Sequence, residues 1–124
     1  MGDFLVVGVS PDSLVKKYKG CKPIFSFEQR VEILRAIKWV DKVILQKKLF
    51  DVEQFKKLGA SIYVIGSDWR GREDKVFGLK WLKDTGHLRY VSYTKKLSTS
   101  LVKEKIIKDA YNIIRAQIKR DNDK

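Results

Sequence analysis

The chain has 124 residues, 44% hydrophobic and 11% aromatic, which suits one soluble domain (1–124) with a real core. Its 27 lysines and arginines against 15 acids leave a formal charge of +12. An excess of that size favours a polyanion (nucleotide, sugar phosphate or nucleic acid), although scattered lysines also serve simply as the solvated faces of helices. No apolar run approaches the roughly 20 residues of a membrane span. No basic stretch precedes the opening apolar run, as a signal peptide would require. The single Cys21 excludes an intramolecular disulfide, and no Cys/His cluster has metal-site spacing. A cytoplasmic setting, no membrane partner and no protein-caged metal are the expectations.

The chain opens with FLVVGVS (Phe4–Ser10), short, β-rich and almost wholly apolar, as a parallel strand covered on both faces would be. Asp12 or Ser13 can cap a short helix through Lys17, and KGCKP breaks it. In SFEQ, Ser26 and Gln29 form a capping box, and the helix that follows is expected to bury Phe27, Ile33, Leu34 and Ile37. VDKVIL (Val40–Leu45) reads as the second strand. Asp51 with Gln54 repeats the capping pattern, with Phe55 and Leu58 inward and Gly59 as the stop. SIYVIG (Ser61–Gly66) is the third strand. A helix around Phe77–Lys83 stops near Gly86, and LRYVSY (Leu88–Tyr93) is the fourth strand. The last helix runs from about Thr99 to Ile118, capped by Ser98, with Val102, Ile106, Ala110, Ile113 and Ile114 on its inner face. Strand and helix in alternation predict a doubly wound α/β fold with a parallel sheet, whose ligands bind beyond the carboxyl ends of the strands.

Three clusters could carry chemistry. YKGCKPIFSFEQR sets Lys19 and Lys22 in a loop and Arg30 one turn into a helix. They are either a phosphate site at a helix N-terminus or three exposed cations of a lysine-rich chain. YTKKLSTS puts the hydroxyls of Ser98, Thr99 and Ser100 at the mouth of the final helix, beside Lys95 and Lys96. They either grip a polyphosphate or cap the helix. In VIGSDWRG, Asp68 can bind a ribose hydroxyl or orient an arginine, and Trp69 can stack on a base or sit in the core. The only histidine, His87, lies in the turn DTGHLRY and fits a surface role. No Ser-His-Asp or Cys-His arrangement can be assembled around it.

Together these pieces resemble the cytidylyltransferase family, most closely its glycerol-3-phosphate cytidylyltransferase-like branch. The landmarks are GDFLVVGVSPD, KGCKP, FEQRVEILRAIKWVDKVI, GSDW and YTKKLSTSLVKEKI, in the family's order and covering nearly the whole chain. The resemblance implies a Rossmann-like sheet and a nucleotidyl transfer, in which a phosphate oxygen of the acceptor attacks the α-phosphorus of CTP with Mg²⁺ assistance. It implies that Lys19, Lys22 and Arg30 lie around phosphates. Gly66, Asp68 and Trp69 then line the nucleotide pocket, and Thr94, Ser98, Thr99 and Ser100 hold the triphosphate.

There are departures. The family's H-x-G-H histidines precede the "GD" that is here Gly2-Asp3, so the catalytic residues stay unassigned and this chain alone is expected to be impaired. Cys21 and Lys38 stand where relatives have lysine and arginine, and Lys96 replaces a glycine. In the family's strand order, 3-2-1-4-5, the absent first strand is central, between Phe4–Ser10 and Ser61–Gly66. The expected remedies are direct pairing of those two strands, a gap filled by another chain (a homo-oligomer, as a dimer), or a separately encoded piece. Two other readings stand beside this one. A basic nucleic-acid-binding module rests on the charge and on WRGR and IIRAQIKR, but lacks any recognised motif. A non-catalytic family relative retained for assembly is the other.

Overall fold

In the computed structural model, which describes residues 1–95 and 97–123, the opening apolar run forms a strand only over Val6–Val9 (β1). Helix α1 (Asp12–Lys19) follows, and neither expected cap operates. Pro11 occupies the N-cap position with no side-chain hydrogen bond, and Gly20 ends the helix in the left-handed region at φ 79°. The capping box at Ser26 forms in full: its Oγ accepts from the Gln29 N–H, and Gln29 Oε1 accepts from the Ser26 N–H. Helix α2 (Phe27–Arg35) buries Val31, while Ile33 and Ile37 are exposed rather than inward. The expectation for those two isoleucines fails because Ile37 lies beyond the end of the helix at Arg35, and among the described residues of the first unit no element covers Ile33.

The second strand, β2 (Lys42–Leu45), pairs in parallel with β1, Val7 facing Val43. Helix α3 (Val52–Lys57) starts at Asp51, whose carboxylate accepts from the Gln54 N–H, and buries Phe55; Leu58 is exposed, not inward. Strand β3 (Tyr63–Gly66) is followed by a 3₁₀ turn, Ser67–Trp69, and a second, Glu73–Lys75. Helix α4 (Phe77–Asp84) then leads to β4 (Leu88–Val91), which pairs in parallel with β3, Ile65 facing Tyr90.

The expected single sheet is thus two parallel two-stranded sheets, β1–β2 and β3–β4. Direct pairing of β1 with β3 does not occur. Leu5 and Val9 turn their carbonyls toward the β2 side, accepting from Lys42 and Gln46, so the two-residue period aims the backbone groups of Val6 and Gly8 the other way. Tyr63 donates to the His87 carbonyl on the β4 side, which aims Val64 and Gly66 away from β4 in the same manner.

The main core sits in the β3–β4 half, where Leu79 and Leu82 are wholly buried with Phe50, Phe55 and Leu88 around them. Phe50 adopts φ 51°, uncommon for a residue with a Cβ. That conformation lays its carbonyl against Gly78, where an added Cβ would stand 2.1 Å from the Phe50 oxygen. Only glycine fits there.

Residues Met1–Val91 make one compact unit and Ser92–Lys124 another. The second is built on helix α5 (Thr99–Asn122), one turn longer than the spacing indicates and capped by Ser98, whose Oγ accepts from the Leu101 N–H. Among its described residues there is no second element to cover Val102, Ile106, Ile113 and Ile114.

Candidate functional site at the carboxyl end of the strands

Gly66 closes β3 in an extended conformation, and the chain turns at once through Ser67, Asp68 and Trp69. Trp69 is fixed from below: its ring meets Phe50 edge-on, with centroids 4.9 Å apart. Asp68 is exposed, and among the described residues it makes no hydrogen bond or ion pair. A carboxylate left uncommitted beside an anchored indole, at the carboxyl end of a parallel strand, has the form of a ligand site.

The turn is tied to β4 through Glu73, the one buried charged side chain among the described residues. Tyr90 donates its hydroxyl to Glu73 Oε1, and Lys83 Nζ lies 3.4 Å from the same oxygen. The hydrogen bond from Tyr90, aided by the backbone and Lys83, lowers the Glu73 carboxyl to about 2. Desolvation, with Glu73 adding to it, raises the Tyr90 phenol to about 12. Arg70 lies over the Tyr90 ring at 4.9 Å, and Arg72 over Trp69 at 5.7 Å. Composition marks Arg70 and Arg72 only as a basic cluster. Glu73 and Tyr90 are missed altogether, since no local pattern links residues 17 positions apart.

The basic loop lies in the β1–β2 half. Lys19 and Lys22 are exposed, Lys19 Nζ standing 5.9 Å from its neighbour's ring at Tyr18. Arg30 is employed otherwise. One guanidinium nitrogen is 2.6 Å from Asp12 Oδ1, and Nε donates to the Phe25 carbonyl, so it ties α2 to α1. The capping box also occupies donors that a helix N-terminus would offer to an anion.

In the second unit, Thr94 is exposed, Ser98 is spent as the cap, and Thr99 and Ser100 present their hydroxyls in the first turn of α5. Lys96, the residue in place of a family glycine, lies outside the described residues.

His87 precedes β4, so it stands at the amino end of the strand, opposite the rim that carries Asp68; its Nδ1 is 2.9 Å from the Ser61 carbonyl. Among the described residues no cluster of three or more metal-ligating side chains occurs, and no helix is long and apolar enough to cross a membrane.

Comparison with known proteins fits this geometry. Residues 1–105 match the family model described as cytidylyltransferase-like. The glycerol-3-phosphate cytidylyltransferase of Staphylococcus aureus is 36% identical over 115 residues, covering 89% of this chain and 80% of the relative. That of Bacillus subtilis is 35% identical over 108 residues, 86% of this chain and 78% of the relative. The ethanolamine-phosphate cytidylyltransferase of Mus musculus is 34% identical over 101 residues, 81% of this chain but 25% of the relative. An α/β chain of parallel strand pairs, with a family match over 105 of its 124 residues, belongs to the cytidylyltransferase-like family.

Proposed function

We propose that this chain binds CTP and a small phosphorylated acceptor of the glycerol 3-phosphate type, and serves cytidylyl transfer. The observation that carries this reading is the rim of β3, where an uncommitted Asp68 stands beside a Trp69 anchored on Phe50. Asp68 takes a ribose hydroxyl or a metal-bound water there, and Trp69 and Gly66 line the base. Two relatives act on glycerol 3-phosphate and a third on ethanolamine phosphate, by their names, so the acceptor class is a short alcohol monophosphate. Lys19 and Lys22 are the free cations for phosphates, while Arg30 holds the loop that carries them. Thr94, Thr99 and Ser100 supply hydroxyls for the triphosphate, and Ser98, whose side chain caps α5, holds in place the first turn that offers it N–H groups.

In the reaction, an acceptor phosphate oxygen forms a bond to the α-phosphorus, the α–β bridging P–O bond breaks, and pyrophosphate departs with the electron pair. Alignment and charge neutralisation supply most of such a rate. Mg²⁺, when bound, would supply charge neutralisation for the triphosphate, and Asp68 is the carboxylate of the rim that would help to hold it.

Residues 1–124 contain a single histidine, and it faces the wrong end of the sheet. We therefore propose that the family's H-x-G-H pair must come from outside these residues, on a strand seated between the free edges of β1 and β3. A dimer is the association proposed for the chain on its own, since those edges favour pairing.

Calorimetry with CTP and Mg²⁺, together with a pyrophosphate-release assay on glycerol 3-phosphate, tests the reading. Binding with little turnover is expected of residues 1–124, with turnover restored when an H-x-G-H strand is appended. Brisk turnover without it would refute the need for the histidines. Absence of any CTP binding would refute the reading itself.

A further inference from the structure

We infer that Arg70 and Arg72, the two cations of the WRGR segment, form a pre-oriented phosphate-binding pair at the rim of the β3–β4 sheet, with Tyr90 as the residue that positions Arg70. The inference rests on the cytidylyl-transfer reading for its choice of ligand, and on the geometry below for the site.

Both guanidiniums are held by aromatic faces: Arg70 is 4.9 Å from the Tyr90 ring centroid and Arg72 is 5.7 Å from that of Trp69. A stacked guanidinium keeps its edge N–H groups outward, in the fork geometry that suits phosphate, and has less rotamer freedom to lose on binding. Gly71 stands between them at φ 84°, a left-handed turn that costs a residue with a Cβ and lets the segment reverse.

Of the neighbouring carboxylates, Asp68 is uncommitted, while the two that follow the pair in the chain are occupied elsewhere. Glu73 accepts from Tyr90 and pairs with Lys83, and Asp74 lies 3.5 Å from Lys80. Arg70 and Arg72 are exposed, and among the described residues neither is in an ion pair. Tyr90 therefore acts twice: its ring supports Arg70, and its hydroxyl engages the carboxylate that would otherwise compete for that cation. Next to Asp68 and Trp69, two uncommitted cations suit a phosphate of the same small ligand.

A merely structural stacking role would show as lost stability with unchanged ligand affinity. The test is calorimetry on the full chain with three probes: CTP with Mg²⁺, glycerol 3-phosphate, and inorganic pyrophosphate. Thermal melts check that each variant folds. Arg70→Gln and Arg72→Gln are each expected to weaken a phosphate probe about tenfold, as loss of a charged hydrogen bond does. Loss confined to CTP and pyrophosphate assigns the pair to the nucleotide, and loss confined to glycerol 3-phosphate assigns it to the acceptor. Tyr90→Leu is expected to cost about threefold in the native background and nothing further in Arg70→Gln, because it acts through that arginine.

Wild-type affinity for all three probes in the double variant Arg70→Gln/Arg72→Gln overturns the pair. Additive losses overturn the role of Tyr90. Loss of single-stranded nucleic-acid binding alone, with the three probes unaffected, also overturns the pair, in favour of the nucleic-acid reading. If the native chain binds pyrophosphate through the arginines but not CTP, the cytidylyl reading fails and the pair stands. Binding of none of the probes removes both.

Discussion

The two halves of the first unit use the same β-α-β plan and differ in what they hold still. In the β3–β4 half, Leu79 and Leu82 are wholly buried, and Phe50, Phe55 and Leu88 close around them. The rim residues inherit that order, because Trp69 rests on Phe50 and Tyr90 on Glu73. In the β1–β2 half, Val9, Val15 and Val31 are buried, while Phe4, Ile33, Ile37 and Trp39 are exposed. Its cations follow suit: Lys19 and Lys22 stand free, and Arg30 is consumed in holding two helices together. The contrast teaches that packing underneath, and not charge alone, fixes the geometry of a basic cluster.

The largest effect belongs to the core of the ordered half. Gly78→Val is expected to abolish cooperative unfolding, since even the first added carbon would stand 2.1 Å from the Phe50 carbonyl. Leu82→Ala is the milder form, with an expected loss of about 2–5 kcal/mol in denaturant melts. The matched change in the other half, Val31→Ala, is expected to cost less, about 1–2 kcal/mol, because a smaller side chain is removed from a thinner core. Equal losses would break the comparison.

A smaller effect is expected at the capping box. Ser26→Ala removes one acceptor from the start of α2 and should cost about 1 kcal/mol, read as a shifted midpoint in urea. It should leave binding at the β3 rim unchanged, because that rim belongs to the other half.

The smallest and most specific effect is on pH. The Glu73 carboxyl is depressed to about 2 in the folded chain, below its ordinary value of 4.5. Its contribution is therefore complete above the unfolded value and is lost as pH falls from there toward the folded value. Melting temperature of the native chain should drop over that acid window more steeply than that of Glu73→Gln. Parallel curves would show that Glu73 is not held by Tyr90 and Lys83.

Much of this fold is legible in the sequence because local chemistry writes it. Ser26 with Gln29 and Asp51 with Gln54 mark helix starts, Gly59 and Gly86 mark stops, and each of the four apolar runs contains a strand. The failures share a physical cause. Periodicity says that Ile33 and Ile37 lie on one stripe of a helix, but not whether anything covers that stripe. The Arg30–Asp12 pair and the Glu73–Tyr90 pair join residues 18 and 17 positions apart, set together only by the helix packing and the crossover. Asp12 reads as a cap and serves as a counter-ion. Arg70 and Arg72 read as surplus charge and lie in order over aromatic rings.

The most direct measurement is an amide NMR titration of the chain with CTP and Mg²⁺. Shift changes largest on Gly66 through Arg72 and on Tyr90, with smaller ones at Lys19, Lys22, Thr94 and Ser98 through Ser100, are the predicted result. Changes spread over the lysines of α5, or a rim of β3 that stays silent while CTP binds, would contradict the account.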